Sequence, residues 1–111
     1  MTVFHPSLAS GRWFTFSLAA QLGNIGGEVQ RAINWKEKNM PEPARSALYR
    51  ALELFDLTLA DERWAGHRRR EISRAREVVC DFIIGDNIYK GKSSELQKYF
   101  DAFALAARRN G

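Results

Sequence analysis

Residues 13–38 read WFTFSLAAQLGNIGGEVQRAINWKEK, and the fold class follows from how apolar side chains recur along this stretch. Phe14, Leu18, Leu22, Ile25, Val29, Ala32 and then Trp35 or Lys36 return at steps of four and three, the interval that lines residues along one face of an α-helix. The opposite stripe, Gln21, Asn24, Glu28, Arg31 and Asn34, is polar at the same interval. The spacing predicts a long amphipathic first helix over 13–38. Pro41 and Pro43 disfavour helical geometry in the residues before them and remove donors, so this helix is expected to stop near Asn39 and turn.

Downstream the same rule repeats. Leu48, Leu52, Phe55 and Leu59 predict a second helix over 44–59, with Pro43 suited to its first turn. Asp61, Glu62 and Gly66 mark a loop. A third helix over 67–84 buries Ile72, Ala75, Val79 and Phe82 or Ile83, and Gly85 is expected as its left-handed C-cap. Ser94 with Gln97 fits a capping box for a fourth helix over 95–109, whose apolar face is Leu96, Tyr99, Phe100, Phe103 and Ala107. Four helices with short links predict an all-α fold, an up-and-down antiparallel four-helix bundle formed as one domain over 1–111. No repeat, low-complexity tract or alternating run argues for a sheet.

Composition narrows the classes. A chain of 111 residues with 45% apolar content suits a single core and is too short for two domains. The longest apolar runs, Val78 to Cys80 and Phe82 to Ile84, are split by Asp81 and fall far short of the roughly 18 residues a membrane helix requires, so no membrane association is expected. Residues 1–11 lack a basic segment followed by an apolar run, which predicts no secretion signal and a cytoplasmic protein. The lone Cys80 has no disulfide partner within the chain and reads as a small hydrophobe. Two histidines, His5 and His67, supply histidine triads and histidine-rich metal sites poorly.

Within the first helix Ala19, Gly23 and Gly27 lie four residues apart, with Asn24 and Gly26 beside them. Each glycine costs about 1 kcal/mol of helix propensity against alanine, so the cluster needs an offsetting close approach. The plain reading is a tight helix crossing inside the bundle or across a homo-oligomer interface. A bare backbone surface for a phosphate or base is the sharper one, although a glycine-rich nucleotide loop would need a strand before it.

Charge is unevenly distributed. The net is +2 over residues 1–40, −3 over 41–62, and +5 over 63–76, where six arginines meet one glutamate. Arg63, Arg68, Arg69, Arg70, Arg74 and Arg76 thus gather at the start of the third helix, the end at which the helix dipole disfavours cations. Asp61 and Glu62 across the loop are expected to offset part of this charge, and Glu71–Arg74 and Arg74–Glu77 to form ordinary surface pairs. The excess leaves a basic patch next to Trp64 and His67. Arginine forks onto phosphates and an indole offers a stacking platform, so RNA or DNA is the expected partner. The isoelectric point near 9.6 agrees with that expectation.

Carboxylates form a further candidate set. The segment Ile25-Gly26-Gly27-Glu28-Val29-Gln30-Arg31-Ala32-Ile33, followed by Glu53-Leu54-Phe55-Asp56, resembles the all-α nucleoside-triphosphate pyrophosphatases of the MazG type. That resemblance implies Mg²⁺ held by acids of two helices, here Glu28, Glu53 and Asp56, with metal-activated water attacking a nucleotide phosphate; Glu77 and Asp81 of the third helix are placed to reach the same centre. The family carries two acids three residues apart on the earlier helix, whereas Glu28 has Asn24, Ile25 and Arg31 at those neighbouring spacings.

At the level of architecture the chain resembles two groups of small bacterial four-helix bundles, the proteins encoded by ribosomal-RNA intervening sequences and the accessory proteins of diversity-generating retroelements. Gln21-Leu22-Gly23-Asn24-Ile25-Gly26 is the stretch nearest to the first group, and it lacks the acid and the glycine that should follow Asn-Ile, so no residue role carries over. Such kinship implies a non-catalytic, cofactor-free, ring-forming oligomer, pentameric in one form, that contacts nucleic acid or a nucleic-acid-processing protein such as a reverse transcriptase through basic surface. The resulting expectation is an accessory protein binding through Arg63, Trp64, His67, Arg68, Arg69, Arg70, Arg74 and Arg76. The alternatives are the Mg²⁺-dependent pyrophosphatase and a purely structural adaptor.

Overall fold

The computed structural model describes residues 4–110. Its elements are α1 (Pro6–Ala9), a 3₁₀ turn (Arg12–Thr15), α2 (Leu18–Glu37), α3 (Pro41–Leu59), a second 3₁₀ turn (Glu62–Trp64), α4 (His67–Ile83) and α5 (Ser93–Asn110). No strand occurs among the described residues, and the four long helices form the all-α up-and-down bundle that the apolar period predicts. No helix among them is long and apolar enough to cross a membrane.

The start of α2 differs from the expectation. Ser17 is extended and its hydroxyl accepts from the Ala20 amide at 3.1 Å, an N-cap that begins the helix at Leu18. Trp13, Phe14 and Phe16 therefore lie in or beside a separate 3₁₀ turn, which directs Trp13 into full burial and leaves Phe14 at the surface. At its other end α2 closes on Asn39 in the left-handed region, with Met40 N–H bonded to Trp35 C=O and Asn39 N–H to Lys36 C=O, a Schellman turn. Nor does α3 wait for Ala44. Both prolines occupy its first turn, where a missing amide hydrogen costs no intrahelical bond.

Two further caps depart from expectation. Gly85 has no left-handed geometry; it serves instead by lacking a side chain, since a Cβ there would lie 2.9 Å from Asp81 Cα. Ser94 falls inside the first turn of α5, and the opening amides of Glu95 and Leu96 bond back to Lys92 C=O.

The core is built from Leu22, Ile25, Val29 and Ile33 of α2, Leu48 and Phe55 of α3, Ile72 and Val79 of α4, and Phe100 of α5. Helix α2 lies close against both α3 and α5, and α3 against α4. Two glycines set the α2–α5 distance. A Cβ on Gly26 would stand 2.5 Å from Phe100 Cβ, and one on Gly23 3.0 Å from Ala104 Cα. Replacing Gly26 with alanine is therefore expected to destabilise the bundle by about 1–3 kcal/mol through overpacking. Gly27→Ala, where only the Arg31 guanidinium lies within reach at 3.9 Å, gains up to about 1 kcal/mol from helix propensity. Urea midpoints of the two variants moving in the same direction would contradict this assignment.

Candidate functional site

The loop between α3 and α4 is organised by a buried carboxylate. Asp61 is only 4% exposed. It accepts from Arg63 Nη2 at 2.7 Å and Nε at 3.0 Å, from the Arg63 amide at 3.1 Å, and from Gln21 Nε2 at 3.1 Å. Hydrogen bonds from Arg63 outweigh burial and, aided by Gln21, hold the Asp61 carboxyl at about 2. The same amide of Gln21 donates to Trp13 C=O, and its oxygen accepts from Trp64 Nε1 at 2.8 Å. Trp13 Nε1 donates to Thr58 Oγ1, which donates onward to Leu54 C=O. This polar network fixes the end of α3, the start of α2 and both 3₁₀ turns in one arrangement. Sequence reading placed Gln21 on the polar stripe and missed it as a buried hub, because its partners are remote in sequence.

From that joint α4 departs with an uncapped start. Gly66 at φ +80° offers no side-chain acceptor, and the first turn contains no acid. The dipole there is positive, and Arg68, Arg69 and Arg70 stand on it.

The six arginines divide into two sets. Arg63 is committed to Asp61 and also donates to Phe16 C=O at 2.7 Å. Arg76 pairs with Asp56 at 3.0 Å. Arg68, Arg69, Arg70 and Arg74 have no carboxylate within 4.0 Å among the described residues. The expected Glu71–Arg74 and Arg74–Glu77 pairs do not form. Arg74 lies over the Tyr89 ring at 4.7 Å, while Glu71 and Glu77 accept from the Tyr99 and Tyr89 hydroxyls. Tyr99 is held up near 12, chiefly by burial and then by Glu71. Arg69 buries its Nε without an acceptor among the described residues. Arg69, Arg70 and Arg74 line one shallow groove with Gly66, Ser73 and Glu77.

Trp64 stands at the patch but is not an open platform. Its nitrogen is spent on Gln21, and the guanidinium carbons of Arg63 and Arg68 lie 4.5 and 5.9 Å from its ring centre. His67 is exposed at the first position of α4.

The small-residue stripe is used inside the chain. Gly23 meets α5, Ala19 is half-buried, Gly27 is exposed, and Asn24 Nδ2 bonds Ala20 C=O of its own helix. The acids of the Mg²⁺ alternative are scattered. Glu28 takes Arg31 and Arg50, Glu53 takes His5 and the amides of Phe4 and His5, Asp56 takes Arg76, and Asp81 takes the amides of Ile88 and Tyr89. Among the described residues no group of three or more His, Cys, Asp or Glu is placed to hold a metal ion. Cys80 is half-buried, and burial pushes its thiol up, as suits a small apolar residue.

No protein-family model, curated protein or solved structure matches the chain.

Proposed function

We propose that the chain is a non-catalytic, cytoplasmic accessory protein that holds the phosphate backbone of RNA or DNA, alone or in company with a nucleic-acid-processing protein, at the start of α4. One observation carries the reading: Arg68, Arg69 and Arg70 stand without carboxylate partners on an uncapped helix start, and Arg74, two turns further along α4, has none either. Guanidinium groups fork onto phosphate oxygens, and the dipole at that end favours an anion. With the Trp64 ring and nitrogen already engaged, recognition falls on phosphates and carries little base preference.

Four phosphates neutralised release their counterions. The logarithm of affinity is then expected to fall against the logarithm of salt with a slope of about −3 to −4 on duplex DNA. Arg70→Ala should reduce that slope by about 1 and weaken binding uniformly across sequences, as fluorescence anisotropy with labelled RNA and DNA would show. Absence of binding to either polymer at low salt disproves the reading, and so does binding with no salt dependence.

A further inference from the structure

A four-helix ring has four seams, and only three are closed by backbone proximity here, α2–α3, α2–α5 and α3–α4. At the fourth, α4 and α5 are bridged by side chains, with the Tyr99 hydroxyl reaching Glu71 Oε1 at 3.3 Å. Between them opens a cleft of about 250 Å³ floored by Ala75, Val78, Leu96 and Phe100. Beside it, the loop 84–92 holds Ile88 out at 73% exposure, the most exposed large apolar side chain among the described residues.

That loop is well ordered by its own bonds. Asp81 accepts from the amides of Ile88 and Tyr89 at 2.9 and 3.0 Å, and the Asn87 side chain bonds both the amide and the carbonyl of Gly91. Asn87 and Lys90 each sit at φ 54°, a conformation that L residues adopt at a cost. The chain thus spends conformational strain to present an isoleucine to water next to an apolar cleft that this isoleucine does not enter.

We propose that this face is a twofold interface between two copies of the chain, with Ile88 of each copy seated in the α4–α5 cleft of the other. A face that carries both the projection and its receptacle is self-complementary, which is the requirement for an isologous contact. Charge selects the same occupant. The cleft is rimmed by Arg74 and Lys92 against Glu71 and Glu95, a neutral mixture on a chain of net +4. Under a twofold axis a second copy can set the cations of one rim against the anions of the other, whereas a polyanion meets like charge on half of the rim. The inference does not rest on the nucleic-acid reading, but the two share Arg74, and a dimer that pairs it leaves Arg68, Arg69 and Arg70 to phosphates.

Sedimentation velocity of the full chain without nucleic acid, over a concentration series, tests it. The wild type is expected to dimerise, and Ile88→Asp to associate about a hundredfold more weakly, since two apolar side chains per dimer lose their burial. Because Ile88 is exposed in the single chain, its variant should keep the wild-type melting temperature at concentrations where both are monomeric and fall below it where the wild type is dimeric. Ala75→Arg, which fills the receptacle, should also be monomeric, and mixing the two variants should restore a heterodimer through the one contact that remains whole. A wild type that stays monomeric at every concentration overturns the proposal and leaves the cleft to a different polypeptide. A dimer indifferent to Ile88→Asp overturns it too.

Discussion

Trp13→Ala is expected to lower the stability of the protein by about 3–5 kcal/mol, the range for emptying a fully buried indole site. Trp13 has no exposed surface, packs edge-on to Phe16 with ring centres 5.5 Å apart, and donates to Thr58 at 2.9 Å. Its substitution removes a large apolar volume from the place where α2, α3 and the loop before α4 meet. Trp13→Phe narrows the contributions, because it keeps one aromatic ring and loses the hydrogen bond, at about 1 kcal/mol, together with a part of the packed volume, so its cost should fall between that figure and the alanine value. Urea unfolding of both variants, followed by circular dichroism, gives the two numbers. A loss below about 1 kcal/mol for the alanine variant would mean that the segment 12–16 lies outside the cooperative core.

The second large effect is on acid stability. Asp61 titrates at about 2 in the folded chain against an ordinary value of 3.8. A carboxyl whose folded pKa lies below its unfolded one adds stability that is complete above the unfolded value and is lost as pH falls through the folded one. Asp61 accordingly contributes roughly 2 kcal/mol at neutral pH, and this disappears between about pH 4 and pH 2. Burial pushes the Glu53 carboxyl up, but bonds from Phe4 and His5 bring it below its ordinary value, so it adds an effect of the same sign. Asp61→Asn should reduce stability at neutral pH by about the same 2 kcal/mol and flatten its decline through that acid window. The comparison requires unfolding free energies of both proteins at several pH values. An asparagine variant with the full wild-type decline would assign the acid sensitivity elsewhere.

The apolar period made the four helices legible, since Leu22, Ile25 and Val29 or Leu48 and Phe55 reach the core at the spacing that identified them. It did not locate the start of α2. Phe14, four residues before Leu18, continues the period, whereas the Ser17 cap and the bond from Trp13 to Thr58, 45 residues away, end it. Gly85 misled for a related reason: glycine answers to positive φ and to crowding alike, and only the neighbouring Asp81 backbone distinguishes them. At the site, the arginine excess could be counted from composition, but the division between committed and uncommitted guanidiniums could not. Arg76 finds Asp56 across a helix pair, and Arg74 finds Tyr89 in a loop that carries no period. The exposure of Ile88 was invisible for that same reason.

The close fit of Gly26 against Phe100 also bears on the order of assembly. Pairing of α2 with α3, and of α3 with α4, closes only short connections, whereas seating α5 on α2 joins segments some 70 residues apart. Docking of the last helix is then the late, non-local step of folding. A methyl group wedged at position 26 would leave the initial collapse nearly untouched and hasten release of the C-terminal helix, shortening the lifetime of the native state.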